Sequence, residues 1–199
     1  MRRIEYIALL NNSTKSKLDE YKKKAVQYES VLTGEITEFV IPDGWTKIRQ
    51  GAFNACTKLE SVTISNSVTS IESGAFSYCV LLTSIDIPTS VLAIKGSAFF
   101  NCKSIVNLTI PNTVTTISAG VFTNCSKLTN VTLGDGFNCN GLDLSPSTKY
   151  SVDTIVSMLI ALADRTGETA YTLTLGATNL AKLSDEQKAI ATDKNWTLA

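Results

Sequence analysis

Residues 85–107 read IDIPTSVLAIKGSAFFNCKSIVN, and residues 108–130 read LTIPNTVTTISAGVFTNCSKLTN, so most apolar positions of the first stretch recur in the second after 23 residues. The same spacing separates four phenylalanines and four cysteines: Phe53, Phe76, Phe99 and Phe122, and Cys56, Cys79, Cys102 and Cys125. A fixed period of this length is typical of a solenoid, in which each repeat contacts only its neighbours. Because a solenoid offers an extended surface more often than a pocket, the period favours binding over catalysis.

Three short elements are predicted within each repeat. Apolar and polar residues alternate at the start of the repeat, which predicts a strand with its apolar side inward. A second apolar pair, such as Val68 with Ile71, predicts a second extended face, and the three-residue spacing of Phe76, Cys79 and Leu82 predicts a tight helical or 3₁₀ turn. Stacked coils would place the first strands in one parallel sheet: Val62-Thr63-Ile64, Ile85-Asp86-Ile87, Leu108-Thr109-Ile110 and Val131-Thr132-Leu133.

The motif Ile-Pro-x-x-Val-x-x-Ile-x-x-x-Ala-Phe-x-x-Cys-x-x-Leu resembles the BspA-like leucine-rich repeats of bacterial surface proteins and of phage tail-associated proteins. The chain departs from the motif at Ser65, which replaces the proline, and at Val121, which replaces the alanine. The resemblance implies an α/β leucine-rich-repeat solenoid used for adhesion or protein binding, without a cofactor. It also implies a location at the cell surface or outside the cell, with a virion as the alternative.

The chain divides into three predicted parts: an N-terminal helical cap at 1–34, the solenoid at 35–141 and an α/β C-terminal cap at 142–199. Residues 13–32 carry a heptad stripe that favours a helix shielding the first coil, with a coiled-coil oligomer as the alternative. The C-terminal part is predicted to continue the parallel sheet as β-α-β-α-β: a strand at Leu142-Asp143-Leu144, a helix from Ser151 to Ala163, a strand from Tyr171 to Leu175, a helix capped by Ser184 with Gln187, and a strand at Trp196.

Composition and cysteine placement exclude several classes of function. The 18 Lys and Arg balance 18 Asp and Glu, so neither nucleic acid nor an anionic membrane is an expected partner. No apolar run is long enough for membrane insertion, and the segment after Met1-Arg2-Arg3 is too short and too polar for a signal peptide. The chain has no histidine and no CxxC motif, which argues against an enzyme and against a metal site.

The cysteines are interpreted as structural residues. Four of them share one repeat position, where stacked side chains would point in parallel, so we expect small buried hydrophobes rather than disulfides. Cys139 lies outside that position. Burial is favoured for it over a free, exposed thiol.

The candidate binding surface is the polar side of the predicted strands, where many shallow hydrogen bonds could form. We hypothesise a non-enzymatic binding or adhesion protein that presents this surface to a protein or glycan on a cell or host surface. The alternative is a structural phage tail-fibre or baseplate-associated subunit that oligomerises through the N-terminal helix. The candidate residues are Ser61, Thr63, Ser84, Asp86, Asn107, Thr109, Asn130 and Thr132.

Overall fold

The structure is a computed structural model that describes residues 35–199. Its first part is a stack of coils, each with two short strands. The strands are β1 (Glu38–Val40), β2 (Lys47–Ile48), β3 (Ser61–Thr63), β4 (Ser70–Ile71), β5 (Ser84–Asp86), β6 (Ala93–Ile94), β7 (Asn107–Ile110), β8 (Thr116–Ile117) and β9 (Asn130–Leu133). Coil 1 contains β1 and β2, coil 2 contains β3 and β4, coil 3 contains β5 and β6, coil 4 contains β7 and β8, and β9 opens coil 5.

All strand pairs in the coils are parallel, and every partner lies 23 residues away. The even-numbered strands form one four-stranded sheet in the order β2-β4-β6-β8. The odd-numbered strands form two pieces, β1-β3 and β5-β7-β9, with Ile85 opposite Leu108 and Leu108 opposite Val131. The 23-residue period thus sets the register of the strand pairs. This confirms the predicted solenoid with parallel sheets.

A column of phenylalanine rings runs through the coils. The ring centroids of Phe53, Phe76, Phe99 and Phe122 follow one another at 5.0, 5.4 and 5.7 Å, with interplanar angles of at most 6°. Phe39 closes the coil 1 end of the column with an edge contact at 4.8 Å. Aromatic pairs add about 0.5–1.5 kcal/mol to the energy of burying their area, so the column stabilises each coil against the next.

The turn that carries each phenylalanine is bonded both locally and to the next coil. In coil 2, the amides of Ser77, Cys79 and Leu82 donate to carbonyls three residues earlier, which confirms the predicted tight turn. The Phe76 amide donates to the Ala98 carbonyl at 2.8 Å, and the Phe53 amide donates to the Ala75 carbonyl at 2.7 Å. The turn therefore satisfies its buried backbone groups while it joins neighbouring coils.

The C-terminal part has the predicted order of elements with one added short helix. Its elements are β10 (Leu142–Asp143), α1 (Val152–Ala161), β11 (Tyr171–Thr174), α2 (Ala177–Leu180), α3 (Asp185–Thr192) and β12 (Trp196–Leu198). Ser151 caps α1, and Ser184 forms the predicted capping box with Gln187 at α3. Helix α1 ends at Ala161, before the predicted Ala163, because the chain turns there so that Phe137 bridges Leu162.

The C-terminal strands do not continue the solenoid sheet, so that prediction is wrong. They form a separate parallel sheet in the order β10-β11-β12. The physical reason is that α1 packs against β9, with Ile155, Met158 and Leu159 buried. A helix therefore occupies the position at which another strand was expected. The predicted helix at 13–32 lies outside the described residues, so its capping and oligomerisation interpretations stay predictions.

Replacing Phe99 with alanine should lower the free energy of unfolding by about 3–5 kcal/mol, because a fully buried ring between two stacked neighbours is lost. Urea denaturation followed by circular dichroism would measure the change. The matched control is Phe100→Ala in the same coil, since the Phe100 ring is only half-buried. Equal losses for the two variants would contradict the column as the main source of coil stability.

A chain that ends at Leu144 should aggregate, because removal of α1 uncovers β9 and its apolar neighbours. Size-exclusion chromatography of the truncated and full chains would measure this. A soluble truncation that unfolds cooperatively would show that residues 142–199 form a separate module rather than a cap.

Candidate binding surface

The eight candidate residues lie on the outward side of β3, β5, β7 and β9. Six of them are exposed, and Ser84 and Thr109 are half-buried. Strand pairing brings six into two rows on one continuous sheet, and the Asn130 side-chain amide donates to the Asn107 side-chain oxygen at 2.7 Å. Ser61 and Thr63 lie on the separate β1-β3 piece. The rows are Ser84, Asn107 and Asn130, and Asp86, Thr109 and Thr132.

Two further residues lie on the outward side of β1 in coil 1, and neither is among the eight candidates. Glu38 pairs with Ser61, and Val40 pairs with Thr63. Both are exposed, Val40 to 60% of its surface. The period itself could have found them, because each stands 23 residues before its partner. The outward surface therefore begins with one carboxylate and one apolar side chain.

A cleft interrupts the outward surface between coils 2 and 3. It has a volume of about 220 Å³, and its lining includes two candidate residues, Thr63 and Asp86. The other lining residues are Val62, Ile64, Ile87 and Pro88. The sequence does not predict this cleft, since the 23-residue period runs through it without interruption.

An exposed apolar pair lies on the turn of coil 2. Tyr78 and Leu81 are each 45% exposed, and the Tyr78 ring makes an edge contact with Phe100 at 5.4 Å. Tyr78 has a φ of 62°, a left-handed conformation that suits the equivalent Asn101 better than a bulky tyrosine. The sequence contains one signal of this exposed pair. Leu81 departs from the repeat, since the equivalent residue one period earlier is Lys58.

All five cysteines are free thiols and buried. The thiols of Cys79, Cys102 and Cys125 donate to the carbonyls of Phe53, Phe76 and Phe99, at 3.1, 3.0 and 3.2 Å. Burial raises the pKa of all five thiols, that of Cys125 to about 12. The thiols are therefore neutral at physiological pH and poor nucleophiles.

Cys139 is buried as well, with 1% of its surface exposed. The favoured interpretation is confirmed, and the alternative of an exposed thiol is wrong. Across residues 35–199, no group of three or more Cys, Asp or Glu side chains is placed to hold a metal ion. In the same range, no helix has both the length and the apolar character needed to cross a bilayer.

A family model described as the BspA type leucine-rich repeat region matches residues 27–141 in six copies, which is more than half of the chain. The chain belongs to the BspA-type leucine-rich repeat family. Its members are repeat proteins that generally serve as scaffolds for protein interactions and are known as non-enzymatic. The predicted resemblance is thereby confirmed, and so is the fold class that it implied.

One solved structure shows the same fold, and a second is similar over a smaller part of its length. The leucine-rich repeat protein of T. pallidum has 22% sequence identity and a TM-score of 0.59, over 82% of this chain and 72% of that one. A leucine-rich repeat protein from Bacteroides ovatus has 23% identity and a TM-score of 0.47, over 73% of this chain and 45% of that one. No curated protein sequence matches this BspA-type chain.

The buried thiols should make this BspA-type protein sensitive to alkali. An unfolded thiol ionises near pH 8.5, so stability that is intact below that pH is lost as the pH rises toward the raised pKa of the folded state. At pH 10 the expected loss is about 2 kcal/mol for each fully buried thiol, from roughly 1.5 pH units at 1.36 kcal/mol each.

Urea denaturation at pH 7 and pH 10 would measure this loss in the wild-type chain and in Cys125→Ala. The wild-type free energy of unfolding should fall by about 2 kcal/mol more than that of the variant. Equal falls would show that the Cys125 thiol does not contribute to the alkaline sensitivity.

Proposed function

We propose that this BspA-type repeat protein is a non-enzymatic binding protein whose outward strand surface contacts a protein or glycan on a cell or host surface. The observation that carries the proposal is the pair of polar rows across β5, β7 and β9. Their hydroxyl, amide and carboxylate groups are held in register by the buried side of the same strands. Such groups can form many hydrogen bonds without a deep pocket.

The size of the surface limits what can bind. Five strands at about 4.8 Å spacing span roughly 20 Å, and three or four residues per strand give about 10–13 Å in the other direction. The product is a few hundred Å², whereas a standard protein interface buries about 800 Å² on each partner. A protein partner would have to contact the turns as well. A short glycan would fit within the strand surface alone.

The non-enzymatic part of the proposal is supported by what the chain offers for chemistry. The sequence has no histidine to serve as a general base. The repeated thiols are buried, and their pKa values are raised. In the described part of the chain, every buried side-chain nitrogen and oxygen already has a hydrogen-bond partner. Buried polar groups that are hydrogen-bonded in this way are part of the folded structure.

The alternative, a phage tail-fibre or baseplate-associated subunit, rests on the predicted helix at 13–32, which lies outside the described residues. Placement at the cell surface likewise rests on the family resemblance alone. The strand surface favours the binding proposal, because binding through this surface does not require the chain to oligomerise. A dimer or trimer that is lost when residues 1–32 are deleted would favour the alternative instead.

Replacing Asn107 and Thr109 together with alanine should reduce ligand capture by about fivefold to 150-fold, because each lost hydrogen bond contributes about 0.5–1.5 kcal/mol. Arrays of glycans and of extracellular proteins, probed with the full chain, would identify the ligand and measure the change. Thermal unfolding should change little, since surface substitutions usually alter stability by less than about 0.5 kcal/mol.

The matched control is Thr116→Ala, an exposed threonine on β8 of the other sheet. Capture should be unchanged in this variant. If the Asn107 and Thr109 variant captured as well as the wild type, the strand surface would not be the binding site.

A further inference from the structure

The cleft between coils 2 and 3 arises where the outward sheet lacks its hydrogen bonds. The Ile41 amide donates to the Thr63 carbonyl at 2.8 Å, and the Ile87 amide donates to the Thr109 carbonyl at 3.2 Å. Ile64 is the equivalent residue of coil 2, and its amide makes no such bond to Asp86 among the described residues. Strands β3 and β5 are accordingly not paired. Both strands therefore present unpaired backbone donors and acceptors to the cleft.

The opening is local, because the two coils remain joined on every other side. The Thr83 amide donates to the Glu60 carbonyl at 3.2 Å, just before the strands separate. Ser70 pairs with Ala93 in the other sheet, and the turns are joined by the Phe76 amide. The cleft is thus a wedge in an otherwise continuous stack. Its shape is held by the rest of the solenoid.

One departure from the repeat lies beside the cleft. Ser65 stands where coils 1, 3 and 4 have a proline, and its hydroxyl donates to the Asp43 carboxylate at 2.6 Å. Ser67, two residues on, accepts from the Gly44 amide and donates to the Trp45 carbonyl. These bonds join the turn of coil 2 to coil 1, and the equivalent Ser90 hydroxyl joins the turn of coil 3 to coil 2 through the Val68 carbonyl at 2.7 Å. The opening falls on the side of coil 3.

The lining of the cleft has mixed chemistry. Thr63 and Asp86 are exposed and supply a hydroxyl and a carboxylate, and the strand edges add amide donors and carbonyl acceptors. Val62 and Pro88, which are both half-buried, supply apolar surface. At about 220 Å³, the cleft is smaller than the roughly 300–1,000 Å³ of pockets that hold drug-sized molecules. It therefore suits a ligand of about one ring, with several groups that both donate and accept.

We propose that this cleft binds one neutral sugar residue, the end of a glycan that extends along the rows of β5, β7 and β9. Sugar hydroxyls donate and accept, so they match a lining that offers both kinds of group, while the C–H surface of the ring matches Val62 and Pro88. The inference rests on the proposed function and assigns it a ligand class. A lysine or arginine side chain of a protein would fit less well, because it could not satisfy the amide donors.

Saturation-transfer NMR of the full chain with millimolar neutral hexoses and N-acetylhexosamines tests the proposal. At least one sugar should receive saturation. The signal should fall at least fivefold in Thr63→Val and in Asp86→Asn, which keep the size of each side chain and remove a hydrogen-bonding or charged group. The matched controls are Thr116→Val, an exposed threonine on β8 of the other sheet, and Asp135→Asn, an exposed carboxylate of a turn. Both controls should keep the wild-type signal.

Several outcomes would overturn the cleft as a sugar site. One is that no sugar receives saturation, and another is that the signal is equal in the cleft variants and the controls. A third is that a lysine-rich peptide binds and Asp86→Asn abolishes that binding, which would indicate recognition of a cation. The proposed function would survive each of these outcomes if capture on the arrays still fell when Asn107 and Thr109 were replaced. Loss of that dependence would remove the proposed function as well.

Discussion

The contact between one coil and the next is the constraint on which the rest of the structure depends. Each coil is too small to bury its own apolar side chains, so it is stable only against a neighbour of matching shape. Matching is achieved by repeating the same residue at the same place. The stacked rings of Phe76 and Phe99 lie 1° from parallel, which requires nearly identical backbone paths in coils 2 and 3. The strand register follows from that identity.

The same constraint explains why the outward surface is free to carry function. Inward positions are held by packing, so Ile85, Leu108 and Val131 vary only among aliphatic side chains. Outward positions make no demand on the core, and one row reads Asp86, Thr109 and Thr132. Substitution there changes recognition at little cost in stability. A solenoid therefore separates the residues that fold it from those that bind.

Elements that depend on the period could be predicted, and elements that depend on a single contact could not. Strands, turns and the phenylalanine column recur in every coil, so several copies of the signal support each prediction. The pairing of β10 depends on where α1 packs, which no local pattern records. The cleft depends on the missing pairing of β3 with β5, and a serine at the proline position does not predict that opening. The burial of Cys139 is seen only in the tertiary structure, because Cys139 lies outside the repeated cysteine position.

The cleft shows how a repeat protein can acquire a specific site without leaving its fold. A uniform ladder offers the same hydrogen-bonding groups at every coil, so it gives a ligand no preferred position along the stack. Breaking the ladder creates a distinct place within the described coils, because there the edges of β3 and β5 lie unpaired beside Thr63 and Asp86. The cost is limited, since the neighbouring coils stay joined through β4, β6 and the phenylalanine turns. The interruption between β3 and β5 is therefore tolerated by the fold, and the continuous ladder of β5, β7 and β9 offers no equivalent site.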